Sequence, residues 1–411
     1  MMWLSRASLI LAVAALASCA TPEPEPEPDQ SAVLYRRARE MCADGGRDKT
    51  LTLALTIQAC TTVIETINAP PGDVIEALKA RAKINFANGR YDSAIKDYAY
   101  LVRWNPKDAL SYKALGDAHR RNGKCDLAVT DYDQAIRLNS KLSDAIESRG
   151  DAFVCLRDYT KAIIDYDQAI QVNPQRFEVF MKQGSTYLLI GEPSKAIDAF
   201  SSALNLRPRE ANVFVARGEV YFAQEQYEPA LADFNSAISL NGSTATAFYR
   251  RGLIHFIQRE NTAAISDYDR AIQLDPKVSG AFDGRGSAYM READYDKAID
   301  DYTRAIALQP EFAAAFEHRG NVYHQKGFYE QAIQDYTQAI RLDAKLTTAI
   351  VSRGNAYLDR GQYDLAIQDY DQAVELGLSN ERVLHDRRQA EIEKAKQDAA
   401  RSMSINGNIT N

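Results

Sequence analysis

The stretch ATAFYRRGLIHFIQRENTAAISDYDRAIQLDPKV, residues 245–278, decides the fold. It holds two segments in which apolar residues recur at i, i+3, i+4 and i+7, the mark of paired amphipathic helices. Small residues punctuate it at Gly252, Ala264 and Ala271, with one aromatic, Tyr268, between the two alanines. Pro276 stands where the second helix must end, because proline cannot donate to the helical ladder. Small residues let two helices approach closely, and the aromatic fills the gap between them. The next stretch, SGAFDGRGSAYMREADYDKAIDDYTRAIALQPEF at 279–312, repeats the arrangement with Gly286, Ala298, Tyr302, Ala305 and Pro310.

Outward from this pair, glycines recur every 34 residues, at 116, 150, 184, 218, 252, 286, 320 and 354. Twelve residues after each comes alanine, four further an aromatic, and three further another alanine. Residues 75–108 fit with Ala82 in place of the glycine, keeping Ala94, Tyr98 and Pro106. Residues 75–380 therefore read as nine units with no insertion or deletion: 75–108, 109–142, 143–176, 177–210, 211–244, 245–278, 279–312, 313–346 and 347–380. The pattern resembles the tetratricopeptide repeat over about three quarters of the chain. The resemblance implies an all-α fold, a right-handed α-solenoid superhelix of about nine helical hairpins with a concave groove. Each hairpin leaves an apolar face that the next one covers, so the ends need separate treatment. Residues 31–74 are expected to form a degenerate helical hairpin. Residues 381–402, strongly polar, suit a capping helix, and 403–411 are expected to be a disordered tail.

The repeats also compare with one another. The residue before the glycine, or before Ala82 in the first unit, is Arg in seven units: Arg81, Arg149, Arg217, Arg251, Arg285, Arg319 and Arg353. Sixteen residues later each has Asp: Asp97, Asp165, Asp233, Asp267, Asp301, Asp335 and Asp369. The fourth unit lacks both, with Gln183 and Ala199, and the second keeps Asp131 beside Leu115. This co-occurrence predicts an ion pair inside each unit, joining its first helix to its second. Pairing each Asp with the following unit fits less well, since Arg217 would then face Ala199.

At the N-terminus, Arg6 precedes the apolar run ASLILAVAALA at 7–17, too short to span a bilayer and shaped like a secretory signal. Leu16-Ala17-Ser18-Cys19 resembles the bacterial lipobox. The resemblance implies a signal peptide at 1–18, cleavage before Cys19, and acylation of that cysteine. Ala20 follows where an Asp would imply inner-membrane retention, which favours the outer membrane of a Gram-negative cell, facing the periplasm. The stretch TPEPEPEPD then reads as an extended, self-repelling tether within 19–30.

With Cys19 acylated, four of the five cysteines remain, and an oxidising compartment would let them pair. Cys60 occupies the small-residue position of a second helix facing the helix that carries Cys42. Cys125 and Cys155 sit near the turns of adjacent units. Cys42–Cys60 and Cys125–Cys155 are therefore the disulfide candidates, against the alternative of isolated buried thiols.

Little chemistry is signalled. The recurrent Asp-Tyr-Asp resembles a metal-binding Asp-x-Asp, but i and i+2 do not share a helix face. The histidines are scattered, His318 and His324 have no evident partner, and no Cys-x-x-Cys occurs. No catalytic residue, metal or cofactor is expected. The net charge of −7 argues against nonspecific nucleic-acid binding.

In the tetratricopeptide family the first helix of each unit lines the groove at positions 2, 5, 9 and 12. Read off this chain, the first two units offer Lys79, Lys83, Lys113 and Arg120, and the third Asp144, Glu147 and Asp151. Units four to six turn apolar, with Met181, Leu188, Val215, Phe222, Tyr249, Leu253 and Phe256. Large apolar side chains there suit a cleft for an extended peptide or an amphipathic helix, unless they tuck into packing between units. Lys79 and Lys113 are present, but Asp117 stands where the family's carboxylate clamp wants Asn. The expectation is a non-catalytic interaction scaffold anchored by lipid, with protein or peptide partners. A periplasmic assembly chaperone and a self-associating structural lipoprotein are the alternatives.

Overall fold

The computed structural model describes residues 30–44, 52–378 and 380–409. Among them every regular element is an α-helix. The chain falls into two compact units, Met1–Ile190 and Gly191–Asn411.

The first unit opens with the hairpin α1 (Gln30–Asp44) and α2 (Leu53–Glu65). Three more follow: α3 (Pro71–Ala87) with α4 (Tyr91–Trp104), α5 (Ala109–Arg121) with α6 (Cys125–Leu138), and α7 (Ser143–Cys155) with α8 (Tyr159–Val172). Helix α9 (Phe177–Leu189) completes it. The second unit begins with α10 (Pro193–Leu206). Its hairpins are α11 (Ala211–Ala223) with α12 (Tyr227–Leu240), α13 (Ala245–Ile257) with α14 (Asn261–Leu274), and α15 (Ser279–Arg291) with α16 (Tyr295–Leu308). Then come α17 (Ala313–Gln325) with α18 (Tyr329–Leu342), α19 (Thr347–Asp359) with α20 (Tyr363–Glu375), and α21 (Glu381–Ile409). We call the first helix of each hairpin its A helix and the second its B helix.

The 34-residue punctuation maps onto packing. Tyr132, Tyr268, Tyr302, Tyr370 and Phe234 are completely buried, each on a B helix. The glycine of the facing A helix is what admits the ring. A Cβ at Gly116 would stand 2.7 Å from the Tyr132 ring, and one at Gly218 2.8 Å from Phe234. Burying such a ring stabilises the fold by about 2–3 kcal/mol on area grounds.

The turn between A and B helices ends in a left-handed residue. Gly89, Gly123, Gly191, Gly327 and Gly361 supply it freely, but Arg157, Glu225, Arg259 and Ala293 hold φ of 61°, 59°, 65° and 58°. A side chain costs roughly 1–2 kcal/mol there. Ala293→Gly is therefore expected to raise stability by about 1 kcal/mol in chemical denaturation; a loss would show that the residue 293 side chain is needed elsewhere.

At the N-terminal end Cys42 and Cys60 form a disulfide between α1 and α2, Sγ to Sγ 2.09 Å. Cys125 and Cys155 form a second, 1.99 Å, tying the start of α6 to the end of α7 in the next hairpin. Each closes a loop whose restriction of the unfolded chain contributes about 3 kcal/mol in the chain-entropy model. At the other end α21 takes the A-helix role, burying Val383 and Ala390. It continues to Ile409, past the expected end at 402, so the tail expected to be disordered is helical over 403–409. Those residues contain no proline, and Gly407 alone is tolerated in a helix.

Candidate functional site

All seven Arg–Asp pairs form within their units. Arg251 Nε and Nη2 donate to the two carboxylate oxygens of Asp267 at 2.8 and 2.7 Å, and Arg285 to Asp301 at 2.8 and 2.6 Å. The same two-point bond joins Arg81 to Asp97, Arg149 to Asp165, Arg217 to Asp233, Arg319 to Asp335 and Arg353 to Asp369.

Sequence reasoning missed the third arm. Each Arg Nη1 reaches back to the B helix of the preceding hairpin: Arg149 to Asp133 at 2.6 Å, Arg217 to Ser201 at 2.8 Å, Arg251 to Asn235 at 2.6 Å and Arg285 to Asp269 at 2.5 Å. Gln183 makes the same contact to Asp167 at 2.6 Å, and Arg387 of the cap to Asp371 at 2.5 Å. In the second repeat Leu115 replaces the donor and Ala99 the acceptor, and Asp131 pairs instead with His119 Nδ1 at 2.6 Å. The recurrent Asp-Tyr-Asp is thus a joint. At 267–269 its first Asp holds its own Arg, its Tyr fills the core, and its last Asp holds the next hairpin. The bond to Asp301 raises the Arg285 pKa, whereas burial pushes the Asp301 carboxyl up despite that bond. The two shifts point opposite ways for the charged pair. The bidentate geometry decides it: both groups stay charged, and carboxylate desolvation is the costly part. The arginines are saturated and do not form a ladder for an anionic ligand.

On the groove positions of the first unit the charges answer one another. Lys113 pairs with Asp117 at 2.7 Å, and Tyr132 donates to the same carboxylate at 2.8 Å. Lys182 bridges Glu147 at 2.6 Å and Asp151 at 2.8 Å, while Arg176 bonds Asp144 and Glu147. Asp144, Glu147 and Asp151 are therefore each paired with one or both of two cations outside the four groove positions. Met181 and Leu188 lie on α9. Met181 borders a cavity of 420 Å³ with Arg120, Asp151, Tyr166 and Lys182, and Leu188 is 42% exposed.

In the second unit Val215, Phe222, Tyr249, Leu253 and Phe256 come together on neighbouring A helices, α11 and α13. They are half-buried, because each packs on the core of its own hairpin. Two cations lie against them. Arg250 sits 5.4 Å from the Phe222 ring and 5.5 Å from Tyr249, and pairs with Glu219 at 2.7 Å. Arg291 lies 3.4 Å over the Phe256 ring and donates to the Phe256 carbonyl at 2.5 Å. The apolar cleft expected from sequence is thus a surface of aromatic faces and stacked guanidinium groups. Arginine stacks this way because its planar charge is weakly hydrated. His318 gains a partner the sequence did not reveal, Asp283, at 2.8 Å from Nδ1. Among the described residues no cluster of His, Cys, Asp or Glu could hold a metal, and no helix is long and apolar enough to cross a membrane. Cys19, the signal and the tether lie outside the described residues.

Tetratricopeptide-repeat family models match residues 79–143, 148–211, 215–279 and 347–376, and a related TPR repeat model matches 286–327 and 320–350. The chain is a tetratricopeptide-repeat protein. Among solved structures, the C-terminal part of a TPR repeat-containing protein from Cytophaga hutchinsonii aligns with a TM-score of 0.51 at 21% identity, covering 58% of this chain and 97% of that one. A tetratricopeptide repeat protein from Parabacteroides merdae aligns with a TM-score of 0.48 at 20% identity, covering 61% and 98%. YrrB, described as a TPR protein with an unusual peptide-binding site, gives 0.40 at 20%, covering 45% and 95%. No curated protein matches the sequence. Likeness at these identities speaks to the fold. Tetratricopeptide-repeat proteins are protein-interaction scaffolds, and the fold is generally non-catalytic.

Proposed function

We propose that this tetratricopeptide-repeat protein is a lipid-anchored scaffold of the Gram-negative outer membrane, facing the periplasm. Its A-helix face in the second unit takes peptide or helical segments of envelope proteins. The observation that carries the binding reading is the half-buried aromatic group Phe222, Tyr249 and Phe256 on adjoining A helices. A partner's side chains can complete the desolvation that the protein leaves unfinished there, and such aromatic and arginine anchors concentrate binding energy. The lipobox around Cys19 and two disulfides, which persist in oxidising compartments, support the location.

The test is crosslinking in intact cells followed by fractionation and mass spectrometry. The full chain is expected in the outer-membrane fraction with a defined set of partners. Cys19→Ser should release it from the membrane, since no acyl chain then remains to anchor it. Phe222→Ser with Phe256→Ser should leave it anchored and folded by circular dichroism but without those partners. An unchanged partner set would sink the groove reading, and an unchanged membrane fraction for Cys19→Ser would sink the anchor.

A further inference from the structure

The A helices of the sixth to eighth repeats carry two acidic side chains, Asp283 and Glu317. Asp283 on α15, with 14% of its side chain exposed, is bonded to His318. Glu317 on α17 is half-buried and forms no ion pair or hydrogen bond among the described residues. Its negative potential falls on His318 and Tyr336. The two arginines on this face are already engaged, Arg250 by Glu219 and Arg291 by Phe256.

On the helix that carries Asp283, Gly280 and Gly284 face two tyrosines of the preceding hairpin. A Cβ at Gly280 would stand 2.6 Å from the Tyr249 hydroxyl, and one at Gly284 2.8 Å from the Tyr268 hydroxyl. Both phenols therefore lie along α15 beside Asp283. Tyr268 is fully buried, and its hydroxyl has no hydrogen-bond partner among the described residues. In five other repeats the equivalent hydroxyl is held by a residue of a groove position: Asp117, Asp151, Ser287, Asn321 or Asn355. In the sixth repeat that position is Leu253, so the hydroxyl is aimed at the groove with nothing to receive it. Buried polar groups are otherwise nearly always paired. The orphan hydroxyl is an observation independent of the acidic pair.

We propose that this patch receives a basic side chain, a lysine ammonium or arginine guanidinium, from an extended polypeptide lying on the A-helix face. Asp283 and Glu317 supply the opposing charge. The Tyr249 ring offers a π face to the cation, and the Tyr268 hydroxyl offers an acceptor once Leu253 shifts aside. The inference rests on the groove reading above and adds the charge and chemistry of the ligand. Charge complementarity of this kind selects the partner more than it tightens binding.

The probe is a fluorescein-labelled Gly/Ser peptide with alternating lysine and phenylalanine, compared with its acetyl-lysine and glutamate copies by anisotropy against the purified full-length chain. The lysine peptide alone should bind, and salt should weaken it. Glu317→Gln, which has no internal partner to lose, should weaken binding roughly fivefold, and adding Asp283→Asn should bring the loss to about twentyfold. Equal binding of the lysine and acetyl-lysine peptides, no binding of the lysine peptide, or no change in Glu317→Gln would overturn the inference. If Phe222→Ser abolishes binding while Glu317→Gln with Asp283→Asn does not, the groove stands and the basic ligand falls. If neither set of changes matters, both fall.

Discussion

Asp267→Ala is expected to lower the unfolding free energy by about 3 kcal/mol. The change strands the Arg251 guanidinium, 22% exposed, with only the neutral Asn235 to accept from it. Arg251→Ala strands the opposite charge. Asp267, 7% exposed, is then left with His255 Nε2 at 3.8 Å as its nearest cation source. Removing both partners leaves no buried charge, so the double variant should cost well under the sum of the two, with a coupling of about 2 kcal/mol. Two repeats give a natural precedent. In the second Leu115 replaces the arginine while Asp131 stays and takes His119 instead, whereas in the fourth repeat Gln183 and Ala199 replace both partners and both positions are buried. Urea titration followed by circular dichroism measures all three variants. Additive losses would refute an energetically coupled pair, whatever the distances.

This pairing was legible because the fourth repeat lost both partners together, Gln183 and Ala199. The third arm was harder to read. Its acceptor changes chemistry from unit to unit, being Asp133, Ser201, Asn235 and Thr303, so no single residue type repeats. Only the joint replacement Ala99 and Leu115 carried the signal. The A-helix map was incomplete for a different reason. It counted four positions per helix, but long side chains reach across from others. Arg176 and Lys182 pair with the acids of the third repeat from outside the map, and Arg250 and Arg291 stack onto the aromatic residues in the same way. Periodicity fixes which face a residue occupies, while the reach of a guanidinium decides what that face presents. The orphan hydroxyl of Tyr268 needed the structure, because Leu253 looks like any apolar groove residue until its neighbours show what it replaced.

Phe234→Ala is expected to be the most destabilising single change in the second unit, costing about 3–5 kcal/mol. The ring is fully buried on α12 and packs with Ala247 and Ile254 of the next A helix, so its loss opens a hole at a joint between hairpins. Gly218 cannot fill that hole, since it has no side chain, and the surrounding helices are held by the bonds from Arg217 to Asp233 and Ser201. Stability in a repeat array is close to a sum of units and nearest-neighbour interfaces. The loss should therefore appear as a second, earlier step in urea unfolding, not as a uniform shift of one transition. A refilling variant separates a cavity from general disruption. Gly218→Leu alone should destabilise, because its Cβ would sit 2.8 Å from the ring. Gly218→Leu placed on Phe234→Ala should instead recover part of the loss by occupying the vacated volume. If the double variant is as unstable as the two changes summed, glycine and ring do not interlock, and the 34-residue spacing of glycine and aromatic would require another physical cause.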